Sequence, residues 1–290
     1  MTKKVITTSR KRRLGRELRR LRENAGKTMK DAAELIGVTV ATISNMERGV
    51  HRVRKAELAD LLELYEAPAQ TRETLEAMRR DANKRGWWTK YGPALPEWFR
   101  PYVDLETDAV TVRHVELELV PGLLQTQEYA RAVHLAARHV TPVDMVDRSV
   151  AARLERQQRL TDSPPLEVWA ILSEGVIRRV VGSAHVMAEQ LRHMLTLNEL
   201  PNVKVQILPY SAGAHCSMAG SFSILDFREY PSAVSVEYPA GGLTLEEDED
   251  IARYSLMFDD LRALALSPAE SARMIAAVAQ DLEQQGRDAR

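Results

Sequence analysis

Between Arg10 and Asn24, Leu14, Leu18 and Leu21 recur at i, i+4 and i+7 among arginines, a spacing that predicts an amphipathic helix with one buried stripe. Thr28 then offers an N-cap with Asp31 three residues on, which predicts a second, short helix turning Ala32, Ala33 and Ile36 inward. Gly37 ends it, because glycine supplies the left-handed conformation that a sharp turn between helices needs. Val38 plugs the corner and Thr39 caps a third helix running to Arg48, just before Gly49. Ile43 and Met46 give the third helix its inward face, small Ala33 lets the second and third approach closely, and a fourth helix carries Leu58, Leu61, Leu62 and Leu64. Residues 66–69 break the pattern, and residues 71–85 read as a connecting helix stopped by Gly86.

Beyond that point strands and helices mix. Residues 110–120 alternate partly and are rich in β-branched residues, with Val112, Val115, Leu117 and Leu119 as buried positions and Pro121 and Gly122 as the break. Helices are predicted at 126–137, 142–160 and 185–200, and strands at 166–172, 203–208, 221–227 and 233–238, with a short one near 243–245. Ser267, Pro268 and Glu270 stand at N-cap, N1 and N3 of a final helix reaching about residue 285. The expected fold is an all-α N-terminal domain of about five helices followed by a larger α+β domain. The divisions fall at 1–66, a connection at 67–86, and 87–290. Trp87, Trp88 and Tyr91 concentrate aromatic rings at the start of the second domain, either as core anchors or as the wall of a ligand pocket.

Charge sharpens this division. The chain of 290 residues has a net charge of -1, from 40 Lys and Arg against 41 Asp and Glu. Residues 1–58 alone hold sixteen basic side chains and six acidic ones, a net of +10, which leaves -11 for the remainder. Such asymmetry marks a polyanion-binding module joined to an acidic partner domain. An apolar fraction of 44% excludes a disordered or low-complexity chain. One cysteine, Cys216, excludes an internal disulfide framework and fits a reducing compartment. Neither a signal peptide nor an apolar run long enough to span a membrane is visible, so the expected location is cytoplasmic.

Short helix, glycine turn and capped helix inside a basic segment make a helix-turn-helix. Residues 28–49, with Gly37, Val38 and Thr39 at the turn and Ile43, Ser44, Glu47, Arg48 and Gly49 after it, resemble the phage repressor/Cro class, often called the xenobiotic-response-element family. The resemblance covers about residues 10–66. One position departs from it: Met29 stands where this family often has a glutamine able to bridge phosphate and base. The motif implies that the third helix enters the major groove of double-stranded DNA N-terminus first, with Val40, Ala41 and Asn45 facing base edges and Thr42 and Ser44 beside them. Asn pairs with adenine and small apolar side chains meet the thymine methyl, so A·T pairs are expected in the half-site. Thr28, Lys30, Thr39 and Arg48, with Arg10, Arg13, Arg52 and Arg54, are the expected phosphate contacts.

The segments Pro121 to Thr126 with Tyr129, Ala130 and Arg131, then Arg153, Arg156 and Gln157, Pro201 to Pro209, and Gly220 to Phe222 resemble the large C-terminal domain of a group of bacterial repressor-like regulators, over about residues 86–285. That resemblance implies a regulator, some of whose relatives are antitoxin-like, and brings no catalytic or ligand residues. The expected function is a dimeric, sequence-specific regulator on a palindromic operator, its C-terminal domain taking an effector or a small partner protein. The alternative is an antitoxin-like protein that sequesters a small partner and regulates its own operon. No enzyme, cofactor or metal site is expected. His215 and Cys216 are adjacent without the surroundings of a cysteine hydrolase, and the seven histidines show no zinc spacing. Ser173 lacks the nucleophile elbow and Gly241-Gly242 any phosphate-loop lysine. The acidic run at 246–250 reads as the start of a solvated helix, with weak Ca²⁺ binding by three or four of its carboxylates as the alternative.

Overall fold

A computed structural model describes residues 9–82, 86–137, 141–228, 231–238 and 241–288. The basic pair Lys3 and Lys4, His139 and the expected helix end at Arg85 lie outside the described residues. The chain divides into two compact units, the first comprising Met1–Lys90 with Arg100–Leu105, the second Tyr91–Phe99 with Glu106–Arg290.

The first unit holds helices α1 (Ser9–Asn24), α2 (Met29–Ile36), α3 (Val40–Glu47), α4 (Lys55–Leu64) and α5 (Ala69–Asp81). Its core is the expected one: Leu14, Leu18 and Leu21 of α1, Ala32 and Ala33 of α2, Ile43 and Met46 of α3, and Leu58, Leu61 and Leu62 of α4 are buried. Ile36 and Leu64 are only half-buried. Burying each large member contributes about 1.5–3 kcal/mol over leaving it in water. Two glycines let α1 and the end of α3 meet backbone to backbone. A Cβ on Gly15 would lie 2.3 Å from the Glu47 carbonyl oxygen, and one on Gly49, at φ +70, would lie 2.6 Å from the backbone of Lys11 and Arg12. The helix expected as a connector, α5, packs on α1 and α4 and buries Leu75 and Met78, so it completes this core.

A 3₁₀ stretch at Trp87–Ala94 and helix α6 (Arg100–Asp108) follow. In the second unit a six-stranded mixed sheet is ordered β3-β2-β1-β4-β5-β6, from β1 (Thr111–Glu116), β2 (Glu167–Ser173), β3 (Val203–Leu208), β4 (Phe222–Asp226), β5 (Ala233–Tyr238) and β6 (Gly241–Leu245). β1, β2 and β3 run parallel, and β4, β5 and β6 continue the sheet antiparallel. The parallel steps need helical crossovers. These are α7 (Gln127–Ala136) with α8 (Val146–Gln157), then α9 (Glu174–Arg178) with α10 (Ala184–Leu197). The chain closes with α11 (Asp248–Leu264) and α12 (Pro268–Asp288).

Val115, Ile171, Leu208, Phe222, Ile224 and Val234 line one face of the sheet, and Phe258 and Leu261 of α11 pack onto it. The first strand is shorter than its pattern suggests. It ends at Glu116, Leu117 is half-buried and Leu119 is exposed, because the chain leaves the sheet toward the turn at Gly122–Leu124. Helix α6 was not anticipated in the sequence, since Pro101 stands near its start and its apolar pattern is only two turns long. A proline in a first helical turn is tolerated because the N–H it lacks has no intrahelical partner there.

Candidate nucleic-acid interface

The pair α2–α3 is fixed at each end by short-range bonds. The Asp31 N–H donates to Thr28 Oγ1 at 3.2 Å and Asp31 Oδ2 accepts from the Thr28 N–H at 2.7 Å, a complete capping box that also holds the Asp31 carboxyl below its ordinary value. Gly37 sits at φ 67, ψ 36, and the Val38 N–H donates to the Ala33 carbonyl at 3.0 Å, closing the turn. Thr39 then takes the Thr42 N–H on its Oγ1 at 3.1 Å. Capping across a loop of three residues thus helps to set the direction of α3.

On α3 the successive 100° steps place Val40, Ala41, Ser44, Asn45 and Arg48 on one side and Ile43, Met46 and Glu47 on the other. The second group is buried; in the first, Val40 is 47% exposed, Ala41 and Arg48 are exposed, and Ser44 and Asn45 are half-buried at the base of the same face. Arg48 donates to Asn45 Oδ1 at 2.5 Å, so the two polar side chains of this face are held together. Thr42 lies off the face, its hydroxyl 2.9 Å from that of Thr39, and serves the cap. Thr28, Lys30, Thr39, Arg52 and Arg54 are all exposed, Lys30 beside Glu34 at 3.7 Å and Arg54 at the start of α4. Met29 is half-buried in the first turn of α2.

One arginine of α1 differs from expectation. Arg13 is buried, 3% exposed, and is therefore not displayed for a phosphate; Arg10 is half-buried. Arg22 is buried in an ion pair with Glu47, Nε to Oε1 at 2.6 Å and Nη2 to Oε2 at 3.1 Å, which raises the arginine above its ordinary pKa. Glu47 thereby ties the end of α3 to α1. The only hint of it in the sequence is an acidic residue on the buried side of an otherwise basic module.

Most of the other chemistry-bearing residues singled out in the sequence make local bonds. Cys216 is exposed and its thiol donates to the Met257 carbonyl at 3.6 Å, while His215 Nδ1 accepts from the Ser217 N–H. His114 Nδ1 stands 2.8 Å from Ser223 Oγ with both residues buried. The acidic run enters the first turn of α11, where Asp248, Glu249 and Asp250 oppose the positive end of the helix dipole. Trp88 is anchored by donation to Asp104 Oδ1 at 2.9 Å, and Tyr91 by donation to Glu155 Oε2 at 2.6 Å. Among the described residues no helix is long and apolar enough to cross a membrane, and no group of His, Cys, Asp and Glu could hold a metal ion.

A capped two-helix unit of this kind defines a helix-turn-helix DNA-binding regulator, and residues 13–75 match the model of a helix-turn-helix domain. Residues 99–277, more than half of the chain, match a domain of unknown function (DUF5753), and the chain belongs to that family. No curated protein and no solved structure matches the chain.

Proposed function

We propose that the protein is a sequence-specific transcriptional regulator of the xenobiotic-response-element kind, cytoplasmic, acting as a dimer on a palindromic operator. In this reading residues 1–66 contact DNA and residues 87–290 serve dimerisation and the binding of an effector or partner. The observation that carries it is the face of Val40, Ala41, Ser44, Asn45 and Arg48, exposed on a short helix whose other side is the core of a module with a net charge of +10. Val40 and Ala41 meet thymine methyls, and Asn45 pairs with adenine, its Oδ1 passing from Arg48 to the base amino group on docking. Lys30, Arg52, Arg54 and the amides at the starts of α2 and α3 hold phosphates.

Asn45→Ala is expected to narrow the preference for the operator over random duplex by about 1–3 kcal/mol in competition binding; undiminished discrimination would remove Asn45 from the recognition surface. Arg52→Ala is expected to weaken binding to all duplexes alike and to reduce the slope of log K against log salt by about one. A loss confined to one sequence would count against a phosphate contact there. The second reading, capture of a small partner protein with autoregulation, is favoured by the exposed Leu243, Leu256 and Leu264 of the second unit. Co-purification of a small protein encoded beside this one would support it.

A further inference from the structure

Strand alternation puts His114 and Glu116 of β1 and Glu237 of β5 on the sheet face opposite α11. Val115 pairs with Phe222 and Ser223 with Ser235. Carried on by one and two residues, this register lays Glu116 and Glu237 on either side of Ser221, with neighbouring strands about 4.8 Å apart. Ser221 Oγ accepts from the Leu117 N–H at 3.1 Å. Glu237 pairs in turn with Gly242 of β6, where a Cβ would stand 3.2 Å from the indole ring of Trp98. Phe99 packs edge-on against Trp98, with 5.5 Å between ring centres, and Arg156 lies over Phe99 at 5.1 Å.

Arg156 is closed off by Glu106, with two bonds of 2.7 Å. Arg153, one helical turn earlier, donates to Gln125 Oε1 at 2.5 Å and has no carboxylate partner among the described residues; Glu116 and Glu237 likewise have no ion-pair partner there. Burial, then the charge of Glu237, pushes Glu116 up to about 8; burial also raises Glu237 and lowers Arg153 to about 10. Glu237 is nonetheless open to solvent and Glu116 partly so. Arg153 lies within electrostatic reach of Glu237, so the guanidinium and the carboxyl groups gather on this side of the sheet. His114, 3% exposed, leaves Nε2 without a hydrogen-bond partner within electrostatic reach of Glu106 and Arg156.

Two carboxyl groups and a guanidinium without ion-pair partners, beside the Trp98 ring, suit a ligand that carries both charges. We propose that this cluster binds a small zwitterion of the amino-acid type, its ammonium between Glu116 and Glu237 against Trp98 and its carboxylate on Arg153. A simple amine would face the Arg153 guanidinium, and a simple carboxylate would face two glutamates. This assignment rests on the effector reading of the second unit and names the effector's chemical class.

Calorimetric titration of the full-length protein without DNA tests the site. The probes are the twenty common free amino acids, together with the amines and carboxylic acids that lack one of the two charges. The expected result is saturable binding of at least one amino acid and a loss of tenfold or more for its decarboxylated and deaminated counterparts. A similar loss is expected in Arg153→Gln and, at the solvent-open position, in Glu237→Gln. Binding by no amino acid, binding of the bare amine as tightly, or binding unchanged by Glu237→Gln would overturn the proposal. Operator affinity measured with and without the bound amino acid is a separate readout: an unchanged affinity would overturn the effector role and leave the binding site standing.

Discussion

Glu47→Ala is expected to destabilise the first unit by about 3–5 kcal/mol, because it leaves a buried guanidinium without its counter-charge. The side chains of Arg22 and Glu47 are 7% and 5% exposed, joined by two hydrogen bonds, and Arg22 also donates from Nη1 to the Lys27 carbonyl at 3.0 Å. Tyr65 belongs to the same pocket, its phenol pushed up to about 12 by burial and then by Glu47. Alanine removes the negative member, and water cannot replace it without opening the contact between α1 and α3. Replacing both partners with apolar residues of similar volume, Arg22→Met with Glu47→Leu, should recover most of the loss, since neither charge then remains to be solvated. Urea unfolding followed by the helical signal measures both. A single-variant loss below about 1 kcal/mol would show that the pair is solvated and not structural.

In the second unit Glu106→Ala is expected to cost a similar amount, about 3–5 kcal/mol. The side chains of Arg156 and Glu106 are 6% and 2% exposed and their bond is bidentate. The guanidinium is further confined by the Phe99 ring and by the backbone at Gly122, where a Cβ would lie 3.4 Å from Nη1. Glu106→Gln keeps one acceptor and the shape, so its cost should be smaller than that of alanine. Thermal unfolding of the two variants side by side gives the order. Equal melting temperatures for Gln and Ala would mean that the retained acceptor and shape contribute nothing and that the loss comes from the charge alone.

What could be read in the sequence follows the range of the interactions. The turn between α2 and α3 was legible because Thr28, Asp31, Gly37 and Thr39 act within three or four residues of one another. The apolar stripes of α1 and α4 announce themselves by period, and β3 and β5 by their runs of β-branched residues. The buried ion pairs were not legible, since Arg22 and Glu47 are 25 residues apart and Glu106 and Arg156 are 50 apart. No periodicity joins such positions. The burial of Arg13 is hidden in the sequence for a related reason: it depends on how closely α1 is covered, and Gly15 and Gly49 bring the end of α3 onto the same helix. The grouping of Glu116 with Glu237 is set by strand order, with β4 between β1 and β5, and only the folded sheet reveals that order.

Recognition of DNA by α3 is tested most directly by genome-wide footprinting with the purified full-length protein beside Asn45→Ala. The account predicts discrete protected sites made of two inverted half-sites about 10 base pairs apart, or a multiple of that, containing A·T pairs. It also predicts that Asn45→Ala loses them while retaining non-specific, salt-sensitive binding. No discrete site for the native protein, or the same set of sites for Asn45→Ala, would contradict it.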